Sequence, residues 1–231
     1  LLLSDDLRLS SGVGTMSKEI VFGTIHKYDW FQVGAAIDHP ESGKLVNLSE
    51  QVKKDIRPDV EEPYLKILPY NGYGNQDVIR EIMKHEQPDA IMIYTDPRFW
   101  DWLFHMEHEI RQNIPIFYYN IWDDLPYPMW NEPFYESVDA LFNISKQTYN
   151  IVKNVRREIP VKDWQCTYIP HGIDEKKYYP IDEQHEEFSE MEGWYDQQLH
   201  GMNPEFVVFY NNRNIRRKQP ADIILAFRAF C

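Results

Sequence analysis

Short, continuously apolar runs alternate along this chain with stretches in which apolar residues recur every three or four positions. The runs predict strands, because a strand buried on both faces is apolar throughout. They fall at 1–3, 31–37, 64–68, 90–94, 116–119, 140–144, 167–169 and 206–210. Helical spacing is found at 76–86, 99–111, 147–157 and from Pro220 onward, and a further helix is predicted to start with Thr15 as its N-cap.

This alternation predicts an α/β fold built on a parallel, doubly wound, Rossmann-like sheet. Residues 38–63 are polar and are expected to form a long connection with little regular structure, and the alternating strand at 64–68 is expected near an edge. Ligands of such sheets bind beyond the carboxyl ends of the strands. The residues that follow the predicted strands, and are therefore candidates for ligand binding, are Asp5, Asp6, Gly12, Gly14, Asp96, Trp122, Asp123, Asp124, Ser145, His171, Asp174 and Arg213.

The last stretch, 205–231, has the pattern of a phosphate-binding turn. Phe206–Tyr210 is predicted to be a buried parallel strand, and Pro220 suits the first turn of a helix. The loop between them contains Arg213, Arg216, Arg217 and Lys218 and no acidic residue. Cations at a helix N-terminus hold phosphate well, although a solvated basic loop explains the same residues. Gly12 and Gly14, after the first strand, form a second candidate anion site, for which a tight turn is the alternative.

Composition narrows the classes of function. The chain has 231 residues and a net charge of −13, which argues against nonspecific binding to nucleic acid or to anionic membranes. No apolar run approaches the ~20 residues that span a bilayer. Two cysteines without metal-ligand spacing favour a reducing cytoplasm, and no metal site is expected. Both ends interrupt apolar patterns, so we interpret the chain as a fragment of a longer protein.

Two segments have recognisable motifs, Tyr168–Pro180 (YIPHGIDEKKYYP) and Asn212-Arg213 followed by Lys218. Together they resemble the retaining family 4 glycosyltransferases, which have the GT-B architecture. The first segment is similar to a strand-exit pattern of the family, and the second is similar to its Gly-Arg…Arg-Lys-Gly segment. Weaker similarities occur at 12–14 and 138–145. The resemblance implies an N-terminal acceptor-side domain at 1–180, an acidic connection at 181–204, and the truncated start of a nucleotide-sugar-binding domain at 205–231.

The resemblance also implies site residues and a reaction. Arg213 and Lys218 are expected to bind the diphosphate of a nucleotide-sugar donor without a metal or other cofactor, with Gly12 and Gly14 offering backbone N–H groups to it. The sugar is expected to pass, with retention of configuration, to a sugar, lipid or polysaccharide acceptor. Candidates on the acceptor side are Asp96, Ser145 and His171, and the fragment alone is expected to be inactive. Nucleic acid is not an expected partner, and peripheral contact with a membrane stays open.

Departures from the family pattern leave alternatives open. Trp122-Asp123 stand where the family often has His-Asp, so these two are only candidates for catalytic positions. Asn212 and Gln219 replace glycines on either side of the arginine and lysine. A noncatalytic protein that binds nucleotide sugars on the same fold is the main alternative. An oxidoreductase is disfavoured because the glycine pattern after the first strand is incomplete. We expect most of the Tyr and Trp side chains to lie in the core, with the exception of Trp122, Tyr127 and Trp130.

Overall fold

The computed structural model describes residues 1–212 and 214–231 and shows an α/β protein with one mostly parallel sheet. The sheet has eight strands in the order β3-β4-β2-β1-β5-β6-β7-β8. Their bounds are Leu2–Asp5 (β1), Trp30–Ala35 (β2), Val46–Asn47 (β3), Leu65–Pro69 (β4), Ile91–Tyr94 (β5), Ile116–Asn120 (β6), Ala140–Asn143 (β7) and Cys166–Tyr168 (β8). All neighbouring strands are parallel except β3, which runs antiparallel to β4 at the edge.

Helices connect the strands. The α-helices are Gly12–Thr24 (α1), Ser49–Gln51 (α2, continued by a π-helical turn Val52–Ile56), Gln76–His85 (α3), Asp101–Phe104 (α4), Glu107–Ile110 (α5), Glu132–Glu136 (α6), Lys146–Val155 (α7), Phe188–Gln198 (α8) and Pro220–Phe230 (α9). Four short 3-10 turns are formed by Pro97–Trp100, Met129–Asn131, Asp163–Gln165 and Arg216–Lys218. None of the helices in the described part of the chain is both long and apolar enough to cross a membrane.

Side chains that alternate along the strands build one core on each face of the sheet. Leu3 and Ile93 point to the face on which α3 to α7 pack, and the neighbouring Leu2 and Tyr94 point to the face on which α1 and the π-helical turn pack. Period-two alternation in each strand therefore places consecutive apolar residues in different cores. Helices on both faces confirm the predicted fold class at the level of an α/β sheet flanked by helices.

The chain divides into two compact units, Leu1–Gly172 and Ile173–Cys231. The sheet and α1 to α7 belong to the first unit. The second unit contains α8, which lies within the segment predicted to be an acidic connection, and α9, which has Pro220 at its first position as predicted. The division at Gly172 lies closer to β8 than the predicted boundary at residue 180.

The predicted strand at Phe206–Tyr210 is wrong. These residues have no regular secondary structure, and Phe206 and Phe209 are 52% and 80% exposed. A parallel strand needs neighbours for its backbone N–H and C=O groups, and the described residues of the second unit contain no strand. The Phe206 ring instead packs edge-on against Phe227 and Phe230 of α9.

Three smaller predictions in the first unit were also wrong. The N-cap of α1 is Ser11 and not Thr15, because the Ser11 hydroxyl accepts a hydrogen bond from the Gly14 N–H. The helix expected at 99–111 is broken into the 3-10 turn, α4 and α5, and Met106, between α4 and α5, is buried. The connection 38–63 is more regular than predicted, since it contains β3, α2 and the π-helical turn.

Candidate functional site

The strand order has a switch point between β1 and β5, and we call the carboxyl ends of these two strands, with the loops that follow them, the crevice. From β1 the chain builds the sheet outward through β2 and β4, and it then returns to add β5 on the other side of β1. The connections that follow β1 and β5 therefore leave in opposite directions, which is where open α/β sheets bind ligands. Asp5 ends β1 and Tyr94 ends β5 at this point, and α1 starts shortly after β1.

Asp5 is a half-buried carboxylate at this crevice. One oxygen, Oδ2, accepts a hydrogen bond of 3.1 Å from the Ser11 hydroxyl. The other, Oδ1, is buried and has no hydrogen-bond partner among the described residues. Burial raises the pKa of Asp5 above its ordinary value, and the bond from Ser11 partly opposes that rise. A buried acceptor without a donor is costly, so a ligand hydroxyl or amine group that reached Oδ1 would relieve this cost by donating a hydrogen bond.

A buried polar network fixes the backbone beneath Asp5. The Gln32 amide donates to the Ser4 hydroxyl at 2.7 Å and to the Asp5 carbonyl at 2.9 Å. The Ser17 hydroxyl of α1 donates to the Ser4 hydroxyl at 2.9 Å. Ser4, Ser17 and Gln32 are fully buried, and their bonds tie β1, β2 and α1 together. Sequence patterning missed this network because a polar side chain gives no signal of its hydrogen-bond partner before the topology is known.

Asp6 is fully buried and forms an ion pair with Arg8 that shapes the loop before α1. Its two oxygens accept from Nε and an Nη of Arg8 at 2.9 and 2.7 Å. Gly34 on β2 makes room for the carboxylate, because a Cβ at Gly34 would lie 2.6 Å from Asp6 Oδ2. The paired acids Asp5-Asp6 thus have separate roles: Asp5 borders the crevice, and Asp6 holds the loop.

The two glycines after β1 differ in their surroundings. Gly12 is exposed at the first position of α1, and an added Cβ would meet nothing within 4 Å. Gly14 is buried; its N–H is donated to Ser11, and a Cβ would lie 2.6 Å from the Leu9 carbonyl oxygen. Gly14 therefore serves close packing and the helix cap, while Gly12 keeps an accessible position near Asp5.

His171 lies over the same end of the sheet. Its Nε2 is 3.3 Å from the Tyr94 hydroxyl, and its ring meets the Tyr94 and Tyr119 rings edge-on. The Tyr119 hydroxyl donates to the Ile169 carbonyl at 2.9 Å. Burial lowers the pKa of His171 below its ordinary value, so the imidazole is neutral at pH 7. The segment after β8 is thereby fastened to the ends of β5 and β6.

Asp96 and Trp122 are linked through Arg98. Asp96 caps the 3-10 turn after β5 by accepting the Arg98 N–H at 3.0 Å, and it also binds the Arg98 guanidinium. That guanidinium lies over the Trp122 ring, 5.1 Å from its centroid. The Trp122 indole N–H is buried without a partner among the described residues. Two predicted residues from different loops are thus brought together by Arg98, which the sequence analysis did not single out.

Asp123 and Ser145 form hydrogen bonds that stabilise the local structure of their loops. The Asp123 carbonyl accepts from the Gln147 amide at 2.7 Å, and its side chain is exposed. Ser145 caps α7 by accepting from the Thr148 N–H at 2.9 Å, and its hydroxyl also bonds to Thr148 Oγ1. Ser145 is therefore a helix cap whose hydroxyl already has protein partners.

Tyr73 is a further residue of the crevice that sequence reasoning missed. Its pKa is raised to about 12, first by burial and then by the negative charges of Asp5 and Asp96. Its ring stacks on Phe99 and meets Trp100 edge-on. The sequence feature that could have identified Tyr73 was its position between glycines in the turn after β4, at the carboxyl ends of the strands, where the other candidates lie.

In the second unit, Arg213 lies outside the described residues. Lys218 ends the 3-10 turn before α9, and its carbonyl accepts a hydrogen bond from the Tyr210 hydroxyl. Gln219 follows with φ of 47°, in the left-handed region. This conformation favours glycine, and the family resembled by the sequence has glycine at this position.

Searches of protein-family models, curated proteins and solved structures found no match to this chain. Fold and site geometry are therefore the basis for assigning a function.

Proposed function

We propose that this chain contains the acceptor-side domain, and the start of the donor-side domain, of a glycosyltransferase of GT-B architecture. The enzyme would transfer a sugar from a nucleotide-diphosphate donor with retention of configuration. The observation that carries the proposal is the backbone at Gln219. The residue directly after Lys218 and directly before α9 has a left-handed backbone, a conformation that favours glycine, and the resembled segment has glycine at this position.

Lys218 is the described residue proposed to bind the donor diphosphate, together with Arg213. An ammonium group at the start of a helix attracts phosphate, since helix N–H groups and the charge act in the same direction. Two cations can stabilise a departing diphosphate without a metal ion. The helix α9 is eleven residues long, which is sufficient for such a terminus.

The crevice at Asp5 is proposed to hold the acceptor rather than the diphosphate. A carboxylate repels phosphate, whereas Asp5, whose buried Oδ1 has no hydrogen-bond partner among the described residues, would accept a hydrogen bond from a neutral hydroxyl group that reached it. Gly12 leaves space above the start of α1 for such a ligand. Tyr73 and Tyr94 contribute hydroxyl groups near the Asp5 charge.

One observation favours the alternative of a binding protein without catalysis. The family often has a histidine where this chain has Trp122, and the Trp122 ring is covered by Arg98 with its N–H buried. A covered indole offers no group for acid–base chemistry. Under this alternative, the protein binds the nucleotide sugar and leaves it intact.

Titration calorimetry with uridine and guanosine diphosphate on the purified protein tests the donor site. We expect binding that survives EDTA, and an affinity loss of about 1.5–3 kcal/mol in Lys218→Ala, the scale of a charged hydrogen bond. Arg228→Ala, at the opposite end of α9, is the matched control and should bind like wild type. No binding, or equal binding by both variants, contradicts the proposal. Release of free sugar or transfer to added glycosides separates the enzyme from the binding protein.

A further inference from the structure

A segment of exposed apolar side chains follows β6. We call Leu125–Trp130 the apolar tip. Four of its residues are large, apolar and exposed: Leu125 (55%), Tyr127 (44%), Met129 (45%) and Trp130 (62%). Because β6 is parallel to its neighbours, the tip lies at the carboxyl edge of the sheet. Clustered exposed apolar side chains generally mark an interaction surface.

The backbone of the tip is held on both sides by hydrogen bonds. Asn131 is fully buried; its N–H donates to the Pro128 carbonyl at 2.8 Å, and its side-chain amide donates to the Tyr135 hydroxyl at 3.4 Å. On the other side, the Gln147 amide donates to the Asp123 carbonyl at 2.7 Å. The fold therefore presents these apolar groups to water from an anchored segment.

We propose that the apolar tip inserts into the interface of a membrane whose surface lipids are zwitterionic. Trp and Tyr are the residues enriched at the boundary between headgroups and acyl chains, because each combines an apolar ring with one polar group. Leu125 and Met129 add aliphatic groups that gain free energy from leaving water. Membrane attachment does not depend on the proposed sugar transfer.

The charges beside the tip select the kind of lipid. Asp123, Asp124 and Glu132 flank it, and no cation occurs from 121 to 136. Arg98, the cation stacked on Trp122, already binds Asp96. Anionic headgroups would be repelled by these carboxylates, whereas the outward-facing ammonium of phosphatidylcholine is attracted to them.

The chemistry of the tip fits lipid better than carbohydrate. Sugar sites pair an aromatic face with several polar side chains that bind the hydroxyl groups. Within the tip, only Tyr127 and Trp130 carry side-chain hydrogen-bonding groups, and the carboxylates Asp123, Asp124 and Glu132 lie beside the tip and not in it. A protein partner is the other class of surface that such side chains fit, and the experiment distinguishes the two.

Flotation with phosphatidylcholine vesicles tests the proposal on the 231-residue chain. We expect wild type to float with the vesicles, to bind less when phosphatidylglycerol is added, and to be insensitive to salt on neutral vesicles. The combined L125S, M129S and W130S variant should lose about tenfold in bound fraction, because most of the apolar area of the tip is removed. Brominated phosphatidylcholine should quench tryptophan fluorescence in wild type and less in W130L.

Two matched controls exclude nonspecific adhesion. Trp164 is 66% exposed but precedes β8, so it lies at the amino ends of the parallel strands, opposite to the tip. Phe209 is 80% exposed and belongs to the second unit. W164S and F209S should float like wild type. Absence of flotation, binding only to anionic vesicles, or loss of binding in the controls instead of the tip variant overturns the proposal. If wild type self-associates in sedimentation velocity without floating, and the tip variant is monomeric, the tip is a protein interface and the membrane proposal fails.

Discussion

The hydroxyl of Tyr94 lies 3.3 Å from Nε2 of His171, although the two residues are separated by 77 positions in the sequence. Tyr94 ends β5, and His171 follows β8 at the end of the first compact unit. This contact attaches the last residues of the first unit to β5, a central strand of the sheet. It also places a titratable group in an aromatic environment formed by Tyr94 and Tyr119.

Acidification should therefore destabilise the first unit. Burial lowers the folded-state pKa of His171 below its ordinary 6.5, so the unfolded chain binds the proton more readily than the folded chain. The stabilising contribution is complete above about pH 6.5 and is lost as pH falls through the lower folded-state pKa. Urea unfolding at pH 8.0 and 5.5 should show a smaller decrease in His171→Gln than in wild type. Equal decreases in the two proteins would contradict this role.

Asp5→Asn should stabilise the fold at neutral pH. Burial raises the pKa of Asp5 in the folded protein above its value in the unfolded chain. Above the folded-state pKa, the charged carboxylate therefore destabilises the folded state, whereas below the unfolded-state pKa the carboxyl is neutral in both states and this cost is absent. The gain should be within about 1 kcal/mol, because the carboxylate is only half-buried. It should vanish as pH falls below about 4. Thermal unfolding from pH 3.5 to 7.5 measures it, and a destabilised variant at pH 7 would show that Asp5 has a charged partner.

Gly14→Ala and Gly12→Ala should have opposite effects on stability. A Cβ at Gly14 would meet the carbonyl oxygens of Leu9 and Asp6 at 2.6 and 2.9 Å, so backbone must move at a cost of about 1–3 kcal/mol. Gly12 has open space, and alanine there should be neutral or stabilise by up to about 1 kcal/mol. Chemical denaturation compares the two, and similar values for both variants would contradict the close packing at Gly14.

Asp6→Ala should destabilise the protein by about 2–3 kcal/mol, because it removes hydrogen bonds between charged groups and leaves Arg8 only its longer contact with Glu41, at 4.0 Å. Asp6 is fully buried and Arg8 is partly exposed, so the cost should stay below that of a fully buried pair. Glu109→Ala is the control, since Glu109 and its partner Arg80 are both about half-exposed and surface ion pairs contribute little. Denaturation midpoints of the two variants provide the measurement.

The sequence predicted the positions of the apolar strands well because buried parallel strands have a strong compositional signal. Seven of the eight predicted strands are present with shifted ends. Asp5 is the last residue of β1, and Asp96, Trp122 and His171 follow strands as expected. Contacts that depend on distant residues were not predictable, among them the bonds of Gln32 to Ser4 and of Tyr94 to His171. A polar residue gives no signal of its partner until the topology is known.

The failure at Phe206–Tyr210 has a related cause. An apolar run specifies burial, but a strand forms only where another strand offers backbone partners. The two-residue strand β3 shows the converse: Val46 and Asn47 carry little strand signal and pair because β4 offers an open edge. A strand requires both a suitable local sequence pattern and a neighbouring strand in the tertiary structure, and the sequence reveals only the pattern.

The central position of β1 has a consequence for biosynthesis. The strand pairs with β2 on one side and with β5 on the other, and β5 begins at Ile91. At about 5–20 residues per second on the ribosome, β5 follows β1 by roughly 4–17 seconds. During that interval the apolar Leu2 and Leu3 have an unpaired edge beside them. The nascent chain is therefore expected to need chaperone protection until β5 has emerged, and pauses between codons 5 and 91 should lower the yield of folded protein.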